Sequence, residues 1–503
     1  MARGRGRKKA DEPIRYANAM TAAIFVASFV ILVLDYYAGS LGVVNQIIVA
    51  LGTLLISGAA IKKLKSLKGG YGIYMLAGKR GISTVDSLSK RNAKFWKSMA
   101  MWGLVMGFGI LSYPLLKGKV DKRLYALGII SILFFLYFVI PCTPLSFQFI
   151  RIAQLKGFGV NAAAECIPSF SGLTPYGYLI YGATALSGFS GFLILSLMAN
   201  AMTVFSSSIS YGLSVYSGNP QPSLLTNLVP GVAPVIPGIT IPLIAGILAL
   251  AIILTIHEFS HGVLARLAKV KIKSIGLLLF GVIPIGAFVE PDEKTINKLD
   301  LQSQNNISAA GISSNFLAAI FFFVLTFIFL IYVVPYIYQN KGVFIESVLP
   351  NSPANGVLSA GMQILYWNGH QVSNITSLEL AGANTLPGSQ VNVVTNKGSY
   401  TFNAVSISGS TRGEVGITPT QETAVVNTTY GHTMDFLYKL FSLSFILNFL
   451  VAIVNLLPVP GFDGYRIYRT NIKGQFFIRF VTFLIIVGLV LNTLPWLYIG
   501  ILH

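Results

Sequence analysis

Apolar runs long enough to cross a bilayer alternate with short polar and basic stretches along most of this chain. Nine such runs, at 17–34, 41–61, 98–116, 124–149, 176–202, 239–268, 309–336, 434–456 and 476–502, predict nine membrane-spanning helices. The stretch 62–97 is rich in Lys and Arg, as are the segments that follow residues 265 and 463, which predicts a cytoplasmic side for all three. The loop 117–123 is also basic and falls outside by the span count, a tension that a non-spanning or re-entrant run among the first four would resolve. Residues 206–238 hold no charged side chain and many Gly, Pro and Ser, the pattern of an extracytoplasmic loop. Within 274–289 the apolar clusters are broken by Gly276, Gly281, Pro284 and Gly286 and are too short to span, so a hairpin or re-entrant segment is expected.

Residues 341–420 follow a different pattern. Short period-two runs separated by Gly, Asn and Pro predict a small β-rich soluble domain, extracytoplasmic by the span count. The organisation expected is therefore a basic cytoplasmic tail (1–16), an amino-terminal transmembrane region of about five helices (17–205), an outer loop (206–238), a first core segment (239–340), the β-rich insert (341–420) and a second core segment (434–503). The fold class is an α-helical polytopic membrane protein with a re-entrant β segment.

Composition removes other classes. Of 503 residues 54% are apolar and only 11% charged, with a mean hydropathy of +0.69. A soluble domain carries about a quarter charged residues. The net charge of +19 flanks apolar spans instead of forming a soluble basic face, so membrane lipid is the expected neighbour and nucleic acid is not a partner. The basic tail reads as a topology determinant, and the run at 17–34 as a retained span, since it is long for a signal sequence and has no small-residue cleavage site. Cys142 and Cys166 predict neither a disulfide framework nor a cysteine metal site. Nothing in the sequence points to one oligomeric state.

One stretch brings chemistry into the lipid. His257-Glu258-Phe259-Ser260-His261 reads H-E-x-x-H near the end of the run 239–268. On a helix the two histidines lie one turn apart and present both imidazoles to the same side, half of a Zn²⁺ site. Glu258 stands close enough to take a proton from an activated water without being a ligand. The basic residues after His261 place the motif toward the cytoplasmic side of the bilayer. Two histidines leave a catalytic zinc one protein ligand short. The acids at matching depth are Glu290, Asp292, Glu293 and Asp463, and Asp463 is the strongest choice. It follows a proline-broken helix end, and Gly464 frees the turn to aim the carboxylate inward.

The pair His257-Glu258-x-x-His261 and Asn455-x-x-Pro458-x-Pro460-x-x-Asp463-Gly464, separated by a soluble insert, resembles the site-2 protease family of intramembrane zinc metalloproteases. The resemblance implies that His257, His261 and Asp463 hold zinc, that Glu258 is the catalytic acid/base, and that Asn455 lies near the substrate carbonyl. It implies a strand at 286–290, with Phe288 and Glu290 as substrate-binding residues. It also implies transmembrane segments of other proteins as substrates. The insert resembles a PDZ domain through Ser352-Pro-Ala354, Gly361-Met-Gln-Ile364 and Asn368-Gly369. Two other functions stand beside this one. An inactive membrane scaffold or chaperone would bind proteins through the insert and need none of the ionisable residues. A channel or transporter with a structural zinc would need four protein ligands, and the sequence offers three.

Overall fold

The computed structural model describes residues 3–37, 43–116, 121–136, 175–219, 221, 223–226, 228, 231–232, 235–238, 240–406 and 412–502. Long apolar runs become helices because within a bilayer a helix satisfies its backbone groups internally. The amino-terminal half holds α1 (Arg3–Tyr37), α2 (Val43–Lys65), β1 (Gly69–Gly70), β2 (Ile73–Gly78), α3 (Arg80–Arg91) and α4 (Ala93–Phe108). A 3₁₀ segment, Gly109–Leu116, continues α4, and α5 (Lys122–Phe134) and α6 (Pro175–Tyr216) follow. Then come α7 (Leu243–Leu267), β3 (Ile272–Phe280), β4 (Ile283–Pro291) and α8 (Leu301–Tyr332). The insert contributes β5 (Tyr338–Val348), β6 (Gln363–Trp367), β7 (His370–Gln371), α9 (Ile375–Gly382), β8 (Gln390–Thr395), β9 (Gly398–Asn403) and β10 (Ile417–Val425). The chain ends in α10 (Thr429–Val454), α11 (Asp463–Asn471) and α12 (Gln475–Leu502).

Among the described residues seven helices are long and apolar enough to cross a membrane, lying within α1, α4 with its 3₁₀ extension, α6, α7, α8, α10 and α12. The protein is thus a helical polytopic membrane protein with β regions. Of the other two expected spans, the second is helical as α2, while the distal part of the fourth, 137–149, lies outside the described residues. So do Cys142, Cys166 and most of the loop 117–123.

Two segments differ from expectation. The stretch 206–238 begins as helix, since α6 runs on to Tyr216. Its serines satisfy their hydroxyls inside the helix by donating to carbonyls of the preceding turn, Ser208 to Val204 at 2.7 Å and Ser214 to Tyr211 at 2.7 Å. The helix is kinked at Gly188, whose φ of 66° no helical residue adopts. The basic stretch 62–97 is more than a loop: it supplies β1, β2 and α3. β2 pairs antiparallel with β3 from Ile73↔Phe280 to Gly78↔Ile275, and the broken segment 274–289 is a true hairpin, β3–β4. Together they form a sheet of order β1-β2-β3-β4. Tyr74 and Leu279 are buried with Ile61, against Ile24 and Phe25, so α1 and α2 pack on this sheet. At the base of the hairpin Asp292 accepts from the Thr295 hydroxyl at 2.6 Å and pairs with Lys273 at 3.2 Å. These contacts hold its carboxyl below the usual carboxylate range.

The described chain divides into two compact units, 324–439 and the remainder. In the larger unit Phe135, Phe189, Phe316 and Phe449 meet in a fully buried aromatic cluster. Phe135 stacks on Phe449 with centroids 5.1 Å apart, and Phe189 meets Phe316 at 5.6 Å. The cluster ties α6, α8 and α10 together at the end of α5, each contact adding about 0.5–1.5 kcal/mol beyond simple burial. In the smaller unit a sheet runs β10-β5-β6-β8-β9, with β7 paired to β6. Its core contains Val343, Ile345, Ile364, Trp367, Val391, Val393 and Phe402, the inward positions of alternating strands. Asn374 caps α9 with its side chain on the Ser377 amide at 2.7 Å.

Candidate metal centre

α7 carries His257 and His261 one turn apart, with ring centroids 4.8 Å apart. Asp463 opens α11 and reaches the same point from 202 residues further along the chain. Its Oδ2 lies 3.2 Å from His257 Nε2 and 3.1 Å from His261 Nε2, and the two Nε2 atoms are 3.2 Å apart. These three groups form a cluster able to hold a metal ion, and all three side chains are largely buried.

The donor set fits zinc on two observations. Ligand atoms bound about 2.0–2.1 Å from one tetrahedral ion stand about 3.3 Å apart, close to the separations here. The partners of the outer ring nitrogens are the second. His261 Nδ1 lies 2.7 Å from the Ile307 carbonyl, which only accepts, so Nδ1 carries a proton and the neutral ring presents a lone pair on Nε2. His257 Nδ1 lies 3.1 Å from the Asn315 amide group, whose other end is buried away from any partner. Turning that amide over, an assignment that heavy atoms alone do not fix, lets Oδ1 accept from His257 Nδ1–H. Both Nε2 atoms then aim lone pairs at a carboxylate oxygen. With both rings neutral, three acceptors crowd one buried point, an arrangement that a proton or a metal cation between them relieves.

Two glycines make room. A Cβ on Gly311 would come within 2.4 Å of His257 Cε1 and 2.5 Å of His261 Nε2, so α8 can lie under the imidazoles only at glycine. A Cβ on Gly464 would meet the Leu456 carbonyl oxygen at 2.4 Å, and the Gly464 amide donates to Asn455 O at 2.6 Å. This bond closes the proline-rich loop between α10 and α11. Asn471, at the far end of α11, exchanges amide hydrogen bonds with buried Asn305 at 2.7 and 3.2 Å, and Tyr468 meets the Ser190 hydroxyl at 2.6 Å. α11 is therefore pinned to α8 and α6, which fixes where Asp463 points.

Glu258 faces the hairpin. Its Oε2 accepts from the Val289 backbone N–H at 2.9 Å. Asn455 is half-buried and spends one amide hydrogen on the Val451 carbonyl at 2.9 Å. Phe288 lies across the hairpin over Gly276, and the exposed Glu290 accepts from the Ser274 hydroxyl at 2.6 Å. The sequence reading thus chose the right strand but not the group on it that touches the motif, since a backbone N–H leaves no mark in residue identity. It also missed Gly311, Asn315 and the Ile307 carbonyl. The signal for two of them was present: Gly311 and Asn315 stand four apart, and Asn315 is the last amide before a long apolar run.

The profile described as "Peptidase family M50" matches residues 245–494, from the H-E-x-x-H helix through most of α12. A protein of Methanocaldococcus jannaschii, described as uncharacterized, is 28% identical over 237 residues. That alignment covers 46% of this chain and 58% of the relative, so the chain spans under two thirds of the length of the relative it matches.

Proposed function

We propose that this chain, which belongs to peptidase family M50, the site-2 protease metallopeptidases, is a zinc-dependent endopeptidase that cuts transmembrane segments of other proteins. The observation that carries the proposal is the meeting of His257, His261 and Asp463 at one buried point, with Glu258 next in sequence to His257. His257, His261 and Asp463 are the zinc ligands in this reading, and zinc bound there supplies Lewis acidity toward water and toward a peptide carbonyl.

The remaining chemistry belongs to the chain. Glu258 has one carboxylate oxygen on the Val289 N–H, which leaves the other to take a proton from the attacking water. It then returns that proton to the departing amine. Asn455 keeps one amide hydrogen after bonding Val451, and that hydrogen serves the oxyanion that develops on the scissile carbonyl. A helical substrate hides its carbonyls in hydrogen bonds, so the segment to be cut must unwind. Its freed backbone groups need partners in an apolar setting, and the edge of β4 offers some. Phe288 and Glu290 flank that edge and complete the substrate contact. The insert acts as a PDZ-like peptide-recognition domain; its support is the antiparallel sheet with one capped helix. Nine spans, a cytoplasmic amino terminus, an extracytoplasmic insert and a site toward the cytoplasmic face complete the reading, which follows the distribution of basic loops.

The test is cleavage of a transmembrane reporter peptide by the purified full chain in detergent. The expected result is cleavage that stops with a chelator and returns with added zinc. Cleavage indifferent to the chelator sinks the zinc mechanism, and no cleavage by zinc-loaded protein favours the scaffold.

A further inference from the structure

The end of α2 and the turn between β1 and β2 enclose a cleft of about 510 Å³, lined by Ala59, Lys62, Lys63, Ser66, Leu67 and Tyr71. Its cations are unmatched. Lys62 is half-buried and Lys63 exposed, and among the described residues no carboxylate pairs with either. Two of its residues hold backbone that favours glycine. Ser66 has a φ of 50° where α2 ends, with the Leu67 amide returning to the Lys62 carbonyl at 3.0 Å. Tyr71 has a φ of 50° in the two-residue turn Tyr71-Gly72, and its side chain is 94% exposed. Strain of this kind at residues with side chains collects at ligand sites. The turn is held firmly. The Gly281 amide, at the tip of the β3–β4 hairpin, donates to the Gly72 carbonyl at 3.0 Å. Gly58 lets that carbonyl lie against α2, where a Cβ would come within 1.9 Å of it.

The depth of the cleft identifies its ligand. The Lys65 ammonium bonds the Asn18 side chain, and Asn18 lies at the start of the span Tyr16–Asp35. Lys62 and Lys63 stand about 3–5 Å further toward the apolar part of α2, and Ala59 about 9 Å. Ile56, which is 73% exposed, shares a helix face with Ala59 and Lys63. An apolar track thus leads from the two ammonium groups into the lipid. A free anion uses only the polar end of such a cleft, whereas a phospholipid uses both. We propose that this cleft binds an anionic phospholipid: Lys62 and Lys63 take its phosphate, and an acyl chain lies along Ala59 and Ile56 beside Tyr71. The site lies apart from the metal centre and does not depend on the protease reading.

The experiment uses the full-length protein in nanodiscs of phosphatidylcholine with a minor fraction of phosphatidylglycerol, and native mass spectrometry of the protein with its retained lipid. The wild type is expected to prefer phosphatidylglycerol by about ten- to thirtyfold, the effect of two lysines on one anionic lipid. Lys62→Gln/Lys63→Gln abolishes that preference. Lys68→Gln/Lys79→Gln, which removes the same charge from exposed positions outside the cleft, keeps it. Equal loss in both variants overturns the inference, since the attraction is then a property of the basic surface at large. Displacement of the lipid by inorganic phosphate or glycerol phosphate at equal concentration assigns the site to a free phosphate and also overturns it. A phosphatidylglycerol with a photoactivatable group in its acyl chain tests the wild type alone. Crosslinks are expected within residues 56–71, and crosslinks only elsewhere overturn the inference whether or not the variants fold.

Discussion

Glu258 is the residue whose assigned work separates most cleanly from its structural surroundings. Glutamine at that position keeps the size and an oxygen for the Val289 N–H but cannot carry a proton. Glu258→Gln is expected to bind zinc at one ion per chain and to lose at least about 10³-fold in turnover. Turnover within a few-fold of wild type would strip Glu258 of its role. Gly311→Ala places a methyl on two imidazoles. Metal analysis should show zinc content falling to a small fraction of wild type while the helical circular-dichroism signal persists; full zinc occupancy would mean that α8 can shift away at little cost. At this scale the sequence was informative where a side chain of distinctive type is involved. His257, His261 and Asp463, which the structure brings together, could be picked out from residue type and position along the chain. Gly311, Asn315 and the Val289 amide could not, because each matters through a distance that exists only after folding.

The elements that hold these residues are of two kinds. α7 was legible because an apolar run with both histidines at helical spacing admits little else. The hairpin β3–β4 was legible in outline, since its glycines and proline break the run and its clusters are too short to span. β2 was hidden inside a basic stretch, because six residues take strand form only when β3, about 200 residues away, supplies the ladder. α11 shows the same dependence. Asp463-Gly464 alone is an ordinary turn sequence; what makes it a helix start that brings its carboxylate to the two histidines is the clamp from Gly464 to Asn455 and the Asn471–Asn305 pair. Gly464→Ala drives a methyl into the Leu456 carbonyl. A loss of a few kcal/mol is expected, with weakened zinc retention. An unchanged melting temperature and zinc content would show that the loop relaxes freely.

For the whole molecule, composition alone separated this chain from soluble proteins. The helical membrane core with an inserted β unit followed from where the apolar runs stop. The packing between helices was not legible, because apolar side chains look alike whether they meet lipid or protein. Phe316 faces an aromatic cluster and Phe321 is 58% exposed, yet both sit in one run of phenylalanines and alanines.

The most direct test of the account is the zinc environment itself, read by X-ray absorption at the zinc edge on purified wild type and Asp463→Ala in parallel. The account predicts one zinc per wild-type chain, bound through two imidazole nitrogens and carboxylate oxygen, and its loss or a marked weakening in Asp463→Ala. Zinc held equally well, in an unchanged shell, without the Asp463 carboxylate would contradict it.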